Sequence, residues 1–205
     1  MFNPNINKTK KILRFLDITF SLIGLLITLP LFIIVSIAIK LSSKGRIFFI
    51  QERMGENGIE FNLLKFRSMY SNIDKSLQLT TRNDLRITPC GKIIRKYKLD
   101  ELPQLINVLK GDMSVVGPRP EVRKYVELYS EDQSRVLNVK PGITDYASIH
   151  YSNENEILNE SINPEEYYIN IIMPRKIELN MNFINKPTVR NYFRIILLTV
   201  QKIFK

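Results

Sequence analysis

From Ile18 to Ile39 the chain runs for 22 residues without a charged side chain (ITFSLIGLLITLPLFIIVSIAI). As an α-helix that stretch is roughly 33 Å long, enough to reach across a hydrocarbon core of about 30 Å. A cleaved signal peptide fits poorly, because its apolar region is shorter and closes on small residues, whereas this run ends Ala38-Ile39-Lys40-Leu41. A buried helix of a soluble core is a second alternative, and the length argues against it. Lys8, Lys10, Lys11 and Arg14 precede the run, and Lys40, Lys44 and Arg46 follow it. The positive-inside rule puts basic flanks in the cytoplasm, and here both flanks are basic. Pro30 interrupts the run, removing a helical hydrogen bond and favouring a kink. A kinked, re-entrant helix under a cytoplasmic body satisfies both observations. A simple span with the following domain outside stays open.

Composition narrows the chemistry. Thirty Lys and Arg against twenty Asp and Glu give a net charge of +10, with 44% of residues hydrophobic, which excludes an acidic disordered tail. A single cysteine, Cys90, cannot form an internal disulfide and is too few for a structural zinc site. With His150 the only histidine, a histidine-based metal centre or a Ser-His-Asp triad has little to build on. Metal chemistry should therefore use oxygen ligands, which points to Mg²⁺ or a relative. The basic balance asks for a polyanionic partner: nucleic acid, acidic lipid or a phosphorylated substrate.

After the apolar run the pattern is that of a mixed body. Arg46–Arg53 and Ile59–Phe66 are β-prone, and Asn57-Gly58 between them predicts a hairpin that ends on Lys65, Phe66, Arg67 and Ser68. Lys65 and Arg67 alternate with Phe66, so both are expected to face one phosphate site while Phe66 packs inward. Residues 70–88 read as a surface helix and loop, and Gly91 is expected to open a short basic helix. Leu102, Leu105, Ile106 and Leu109 mark one apolar face of a further helix, with Asp100 at its N-cap, Pro103 in its first turn and Gly111 as its stop. Ser114-Val115-Val116 reads as a short buried strand, and Gly117-Pro118-Arg119-Pro120 as a rigid turn presenting Arg119. The bland reading of Asp100 is a helix cap worth about 1 kcal/mol. The adjacent Glu101 favours chemistry instead, since two carboxylates at a helix start can share a divalent cation.

Residues 154–166 are acidic and polar and read as a surface loop leading to a helix at Pro164. Tyr192–Phe204 is too short to span and reads as an amphipathic helix on the core or membrane surface, with a homodimer contact as a third reading. The expected fold class is α/β (helix-dominated α+β). It divides into a membrane-embedded segment 1–45, a catalytic body 46–150 and a C-terminal extension 151–205. No long βαβ series is present, which excludes a Rossmann-type transferase.

Three stretches carry a family resemblance: Lys65-Phe66-Arg67-Ser68-Met69, Leu99-Asp100-Glu101-Leu102-Pro103-Gln104 and Gly117-Pro118-Arg119-Pro120-Glu121. Gln51-Glu52-Arg53-Met54-Gly55 and Lys140-Pro141-Gly142-Ile143-Thr144 accompany them. In this order and spacing, behind a kinked apolar run, the chain resembles the bacterial sugar transferases, the small monotopic phosphoglycosyl transferases. The resemblance spans roughly residues 8 to 150. It implies transfer of sugar-1-phosphate from a UDP-sugar to undecaprenyl phosphate at the cytoplasmic face of the bacterial inner membrane. That is the first membrane step of exopolysaccharide, capsule, O-antigen or glycoprotein glycan assembly.

By the same resemblance Asp100 is the nucleophile and a Mg²⁺ contact, with Glu101 orienting the site or taking a proton. A carboxylate is a competent nucleophile at phosphorus once its charge is neutralised. Arg119, fixed between Pro118 and Pro120, and Arg95 are the first substrate-binding candidates, followed by Lys65 and Arg67. Lys96 and Lys98 read as membrane-lipid contacts. Tyr97 and Lys98 depart from the small hydroxyl residues common in the family, and so does Asp145-Tyr146 after the KPGIT string. These departures bear on sugar or nucleotide preference. His150 reads as a loop or packing histidine rather than a catalytic base, and Cys90 as structural. A membrane-bound, Mg²⁺-dependent phosphohydrolase of nucleotide sugars is the alternative enzyme reading. A basic adaptor that binds nucleic acid or anionic lipid is the non-enzymatic one; nothing here resembles a nucleic-acid module, so no nucleic-acid partner is expected.

Overall fold

The computed structural model describes residues 4–70 and 84–203; the helix-and-loop expectation over 70–88 therefore lies largely outside the described residues. The chain opens with a long helix, α1 (Pro4–Ser42), which contains Pro30. It has two unlike faces. Asp17, Ser21, Val35 and Ile39 are buried against the rest of the chain, whereas Phe15, Leu22, Leu26, Leu29, Ile33 and Ile37 are exposed. Inside the apolar run Thr28 and Ser36 donate to the carbonyls of Gly24 and Phe32, one turn back, so their hydroxyls need no outside partner. By length and composition this helix can cross a membrane.

The hairpin follows as expected: β1 (Phe48–Met54) pairs antiparallel with β2 (Glu60–Phe66), Phe48 opposite Phe66 and Met54 opposite Glu60. Asn57 and Gly58 supply the left-handed turn residues, with φ of 58° and 72°. Helix α2 (Pro89–Lys96) starts two residues before the expected Gly91, because the Thr88 hydroxyl caps it by accepting from the Gly91 N–H at 2.9 Å. A 3-10 turn, Leu99–Glu101, leads to α3 (Gln104–Lys110), which ends on Gly111 at φ 97°.

The apolar spacing on α3 misidentified its most buried face. Pro103, Gln104, Asn107 and Val108 are buried, while Leu102, Leu105, Ile106 and Leu109 are only partly so. Asn107 explains part of this. Its amide accepts from the Leu64 N–H at 2.9 Å and donates to the Asn62 carbonyl at 2.8 Å, docking α3 on the free edge of β2. Leu105 lies close to Gly24, where an added Cβ would sit 3.2 Å from its side chain.

Strand β3 (Ser114–Val116) runs parallel to β4 (Gly142–Thr144). The two motif turns beside them are zipped by Gly117 N–H to the Thr144 carbonyl and Gly142 N–H to the Pro118 carbonyl. A Cβ on Gly142 would lie 2.1 Å from the Gly117 nitrogen, so only glycine permits this approach. Short helices α4 (Arg123–Val126), α5 (Glu131–Ser134), α6 (Tyr146–His150), α7 (Glu154–Asn159) and α8 (Pro164–Tyr167) follow around the body. The acidic segment is thus partly helical from Glu154, not a plain loop. Helices α9 (Met173–Ile184) and α10 (Val189–Ile203) complete the chain.

Apolar clusters join the segments. Phe66 and Ile94 pack with Val35 and Ile39 of α1. Tyr192 and Ile195 of α10 pack with Val116, against Leu13, Leu16 and Phe20. Val122, Tyr125 and Val136 pack with Tyr168, Ile172 and Ile177. Asp17, the one acid of α1, accepts from Ser114 Oγ, Val115 N–H and Tyr192 OH at 2.8, 2.8 and 2.9 Å, tying α1 to β3 and α10. His150 is exposed at the end of α6, edge-on to Tyr151, so it sits at the surface and is not packed in the core.

Candidate active site

Between α2 and α3 the backbone is forced through a tight corner. Lys98 adopts a left-handed conformation, φ 56°, ending α2 and starting the Leu99–Glu101 turn. A non-glycine residue there costs about 1 kcal/mol. Leu99 and Leu102 pack on the Phe66 cluster and hold the turn from both sides. Asp100 and Glu101 are left to form a charged site with side chains from three other segments.

Glu101 is the bound member of the pair. Arg119 donates to its carboxylate through both terminal nitrogens, Nη1 to Oε2 at 3.4 Å and Nη2 to Oε1. Lys65 Nζ lies 3.8 Å from Oε1. Burial works to raise the Glu101 pKa, but Arg119, Lys65 and the Arg119 hydrogen bonds outweigh it and hold the carboxyl well below its usual range. The same pair raises Arg119 further. Lys65 is lowered to about 8, because burial disfavours its charge more than Glu101 supports it.

Asp100 is the open member. It is 9% exposed, and its carboxylate accepts no hydrogen bond among the described residues. Burial, then the neighbouring Glu101 charge, raise its pKa; Lys65, Arg95 and Arg119 pull the other way. The cap expectation for Asp100 is overturned: α3 begins at Gln104 behind Pro103, without a side-chain cap. The reason is the corner at Lys98, which places Asp100 inside the 3-10 turn, ahead of the helix.

The structure thus brings Asp100, Glu101, Lys65, Arg95 and Arg119 together. Arg95 is half-buried on α2 and forms no ion pair or hydrogen bond among the described residues, so its guanidinium is available. Pro118 and Pro120 hold the Arg119 turn through their carbonyls, which accept from the Gly142 N–H at 2.9 Å and from Arg53 Nη1 at 3.1 Å. Arg67 is not brought to the site. It is buried and turns to α1, donating to the carbonyls of Lys44, Ser43 and Ile39 at 2.6, 2.8 and 3.4 Å. Its backbone N–H still donates to the Ile47 carbonyl at 2.8 Å, continuing the hairpin, but the carbonyls that close α1 hold its guanidinium away from the site.

Arg53 escaped the sequence reading as a site residue. It lies half-buried beside the Arg119 turn, bonded to Gln51 as well as to the Pro120 carbonyl, and the QERMG string was its only signal. Lys176 also escaped it. Lys176 Nζ lies 2.9 Å from Glu154 and 5.2 Å from the Tyr168 ring centre, in a cleft that begins at Arg119. No local pattern marks a lysine on a helix that far along the chain.

A set of acids already neutralised by basic groups, with one carboxylate left open, suits displacement at a phosphate. Mg²⁺ fits this donor set, since the ion usually takes one or two carboxylates and fills its shell with phosphate and water oxygens. Asp100 is the open carboxylate here.

Known proteins agree with the motif reading. The undecaprenyl-phosphate glucose phosphotransferase of Komagataeibacter xylinus is 37% identical over 198 residues, 92% of this chain and 35% of that protein. An Aeromonas hydrophila UDP-N-acetylgalactosamine-undecaprenyl-phosphate N-acetylgalactosaminephosphotransferase is 38% identical over 76% of this chain and 38% of its own length. The uncharacterized sugar transferase EpsL of Bacillus subtilis (strain 168) is 36% identical over 93% of this chain and 86% of its own. The chain therefore spans little more than a third of the first two relatives and most of the third. The bacterial sugar transferase family matches residues 8–205, and the chain belongs to that family.

Proposed function

We propose that this chain transfers sugar-1-phosphate from a UDP-sugar to undecaprenyl phosphate through a covalent intermediate on Asp100. The observation that carries the reading is the contrast within the Asp-Glu pair: Glu101 is held by Arg119 and Lys65, while Asp100 is largely buried and its carboxylate accepts no hydrogen bond among the described residues. A carboxylate stripped of hydrogen bonds is the better nucleophile of the two.

In the first step an Asp100 oxygen attacks the phosphorus that bears the sugar, and the bond from that phosphorus to the UMP oxygen breaks. The phosphosugar is then an acyl phosphate on Asp100. In the second step an oxygen of the lipid phosphate attacks the same phosphorus, and the Asp100 carboxylate leaves. Arg119, Arg95 and Lys65 bind and orient the phosphate oxygens. Mg²⁺ held at Asp100 would neutralise phosphate charge. Glu101 acts by fixing Arg119 and Lys65, because a carboxyl with so depressed a pKa is a poor proton acceptor at neutral pH.

The two-faced α1 supports an embedded helix. Its outward apolar stripe suits lipid, and both ends of its charge-free run are gripped by the same body. Arg14 donates to the carbonyls of Val108 and Leu109 at 2.6 and 2.8 Å, and Arg67 binds the far end. A straight span would place those ends on opposite sides of the bilayer, so a re-entrant helix under a cytoplasmic body is the favoured arrangement.

Incubating the chain with undecaprenyl phosphate, Mg²⁺ and radiolabelled UDP-sugars tests this reading. Label in the lipid phase with stoichiometric UMP, lost on EDTA treatment, is the expected result. UMP with free sugar phosphate and no lipid product would replace the transferase by a hydrolase.

A further inference from the structure

We propose that the cleft between the 117–121 turn and α9 holds the nucleoside half of the donor, with Asn180 and Lys176 as its recognition residues. The inference rests on the transfer reading above and names which part of the donor this cleft takes.

Position argues against the lipid. The hairpin runs from α1 to the cleft: the Phe48 ring is 6.0 Å from Phe32 of α1, and Met54 at the other end of β1 lines the cleft. Six residue steps of extended strand separate them by roughly 20 Å. The cleft thus opens away from the Phe32 contact with the apolar helix, a position that suits the water-soluble substrate better than the lipid.

Reaction geometry chooses between its two halves. In-line displacement puts the leaving group opposite the attacking oxygen. The sugar stays on the phosphorus that Asp100 attacks, while UMP departs away from it. The cleft starts at Arg119, which is paired to Glu101 beside Asp100, and continues to Lys176 and Asn180. It lies where a leaving nucleotide would go.

The lining agrees. Val136, Leu137 and Ile177 form apolar walls, with Arg119, Glu121, Lys176 and Asn180 as polar groups between them, an arrangement that suits a flat base with polar edges better than a hexose with a hydroxyl on nearly every carbon. Lys176 is charge-balanced by Glu154 and sits over the Tyr168 ring, whose hydroxyl donates to Glu121 at 2.9 Å. With Arg119 it puts two cations on the path of the leaving phosphate. Asn180 is 5% exposed and spends its oxygen on the Ala147 N–H at 3.3 Å. Its amide NH₂ makes no hydrogen bond among the described residues and can donate to a base carbonyl.

Calorimetric titration of the detergent-solubilised full chain with UMP tests the assignment. Asn180→Asp keeps the acceptor for Ala147 and replaces the cleft donor by an anion. Leu137→Trp fills the cleft at a half-buried position. Each should raise the UMP Kd about tenfold or more, raise the UDP-sugar KM in parallel and leave the preference among UDP-sugars unchanged. UMP affinity unaltered in both variants overturns the proposal, as does a wild-type chain that ignores millimolar UMP. A changed sugar preference with UMP affinity intact also overturns it, assigning the cleft to the sugar. UMP binding that both variants weaken upholds the cleft even where no lipid product forms, a result that strikes the transferase reading alone.

Discussion

The apolar cluster around Phe66 has a buried charge at each of two borders, and the two charges are treated differently. Where it meets the end of α1, Arg67 delivers its N–H groups to three backbone carbonyls. Where it meets the acid turn, the Asp100 carboxylate accepts no hydrogen bond among the described residues. Backbone carbonyls cannot leave, titrate or react, so Arg67 is spent on architecture. Asp100 instead faces side-chain charges of both signs, Glu101 on one hand and Lys65, Arg95 and Arg119 on the other, at the cost of partial desolvation. Burial alone does not mark a functional charge; the kind of partner does.

Substitutions separate the two borders. Asp100→Asn should reduce transfer by about 10³-fold or more while leaving thermal stability unchanged or slightly higher. The stability sign follows from the raised pKa: folding disfavours the ionised carboxyl, so losing it costs nothing at neutral pH. Arg67→Met should do the reverse. Losing charge-assisted bonds to buried carbonyls costs about 3 kcal/mol, which lowers Tm by roughly 6–12 °C for a chain of this size. The fraction still folded should keep most of its turnover. If Arg67→Met instead lowers kcat with Tm intact, Arg67 belongs to the site and the comparison fails.

Acidity sharpens the reactive border further. Lys65, lowered to about 8, should lose its charge as pH rises through that value. The kcat/KM for the donor should then fall about tenfold per unit above it. Lys65→Arg keeps the charge and should remove that alkaline limb. On the acid side activity should fail at a pH above the ordinary aspartate range, since Asp100 must be ionised to attack. An alkaline limb retained in Lys65→Arg would assign it to another group. The smallest effect is expected at the corner: Lys98→Gly relieves a left-handed φ and should stabilise the chain by at most about 1 kcal/mol.

Features governed by neighbouring residues were legible in the sequence. Asn57-Gly58 fixed the hairpin and Gly111 the end of α3, whereas the left-handed corner at Lys98 that moves Asp100 from the expected cap into a 3-10 turn had no local signal. Features that depend on distant contacts were not. The face of α3 was misjudged because Asn107, a polar residue, earns its burial by bonding to β2. Arg67 was misplaced because the carbonyls of Ile39, Ser43 and Lys44, more than twenty residues away in sequence, claim its guanidinium. Lys176 was missed because its partners, Glu154 and Tyr168, come from other turns of the chain. The KPGIT and GPRPE strings were both recognised, yet only the structure pairs them, through Gly117 and Gly142.

The most direct measurement traps the intermediate. The chain is incubated with Mg²⁺ and a UDP-sugar labelled in the sugar, without lipid acceptor, then acid-quenched and counted for protein-bound label. The account predicts label approaching one per chain, released by hydroxylamine as an acyl phosphate should be, chased into lipid by undecaprenyl phosphate, and absent from Asp100→Asn. Steady transfer to lipid with no label on the protein at any time would contradict it, and Asp100 would then serve the phosphate without ever bonding to it.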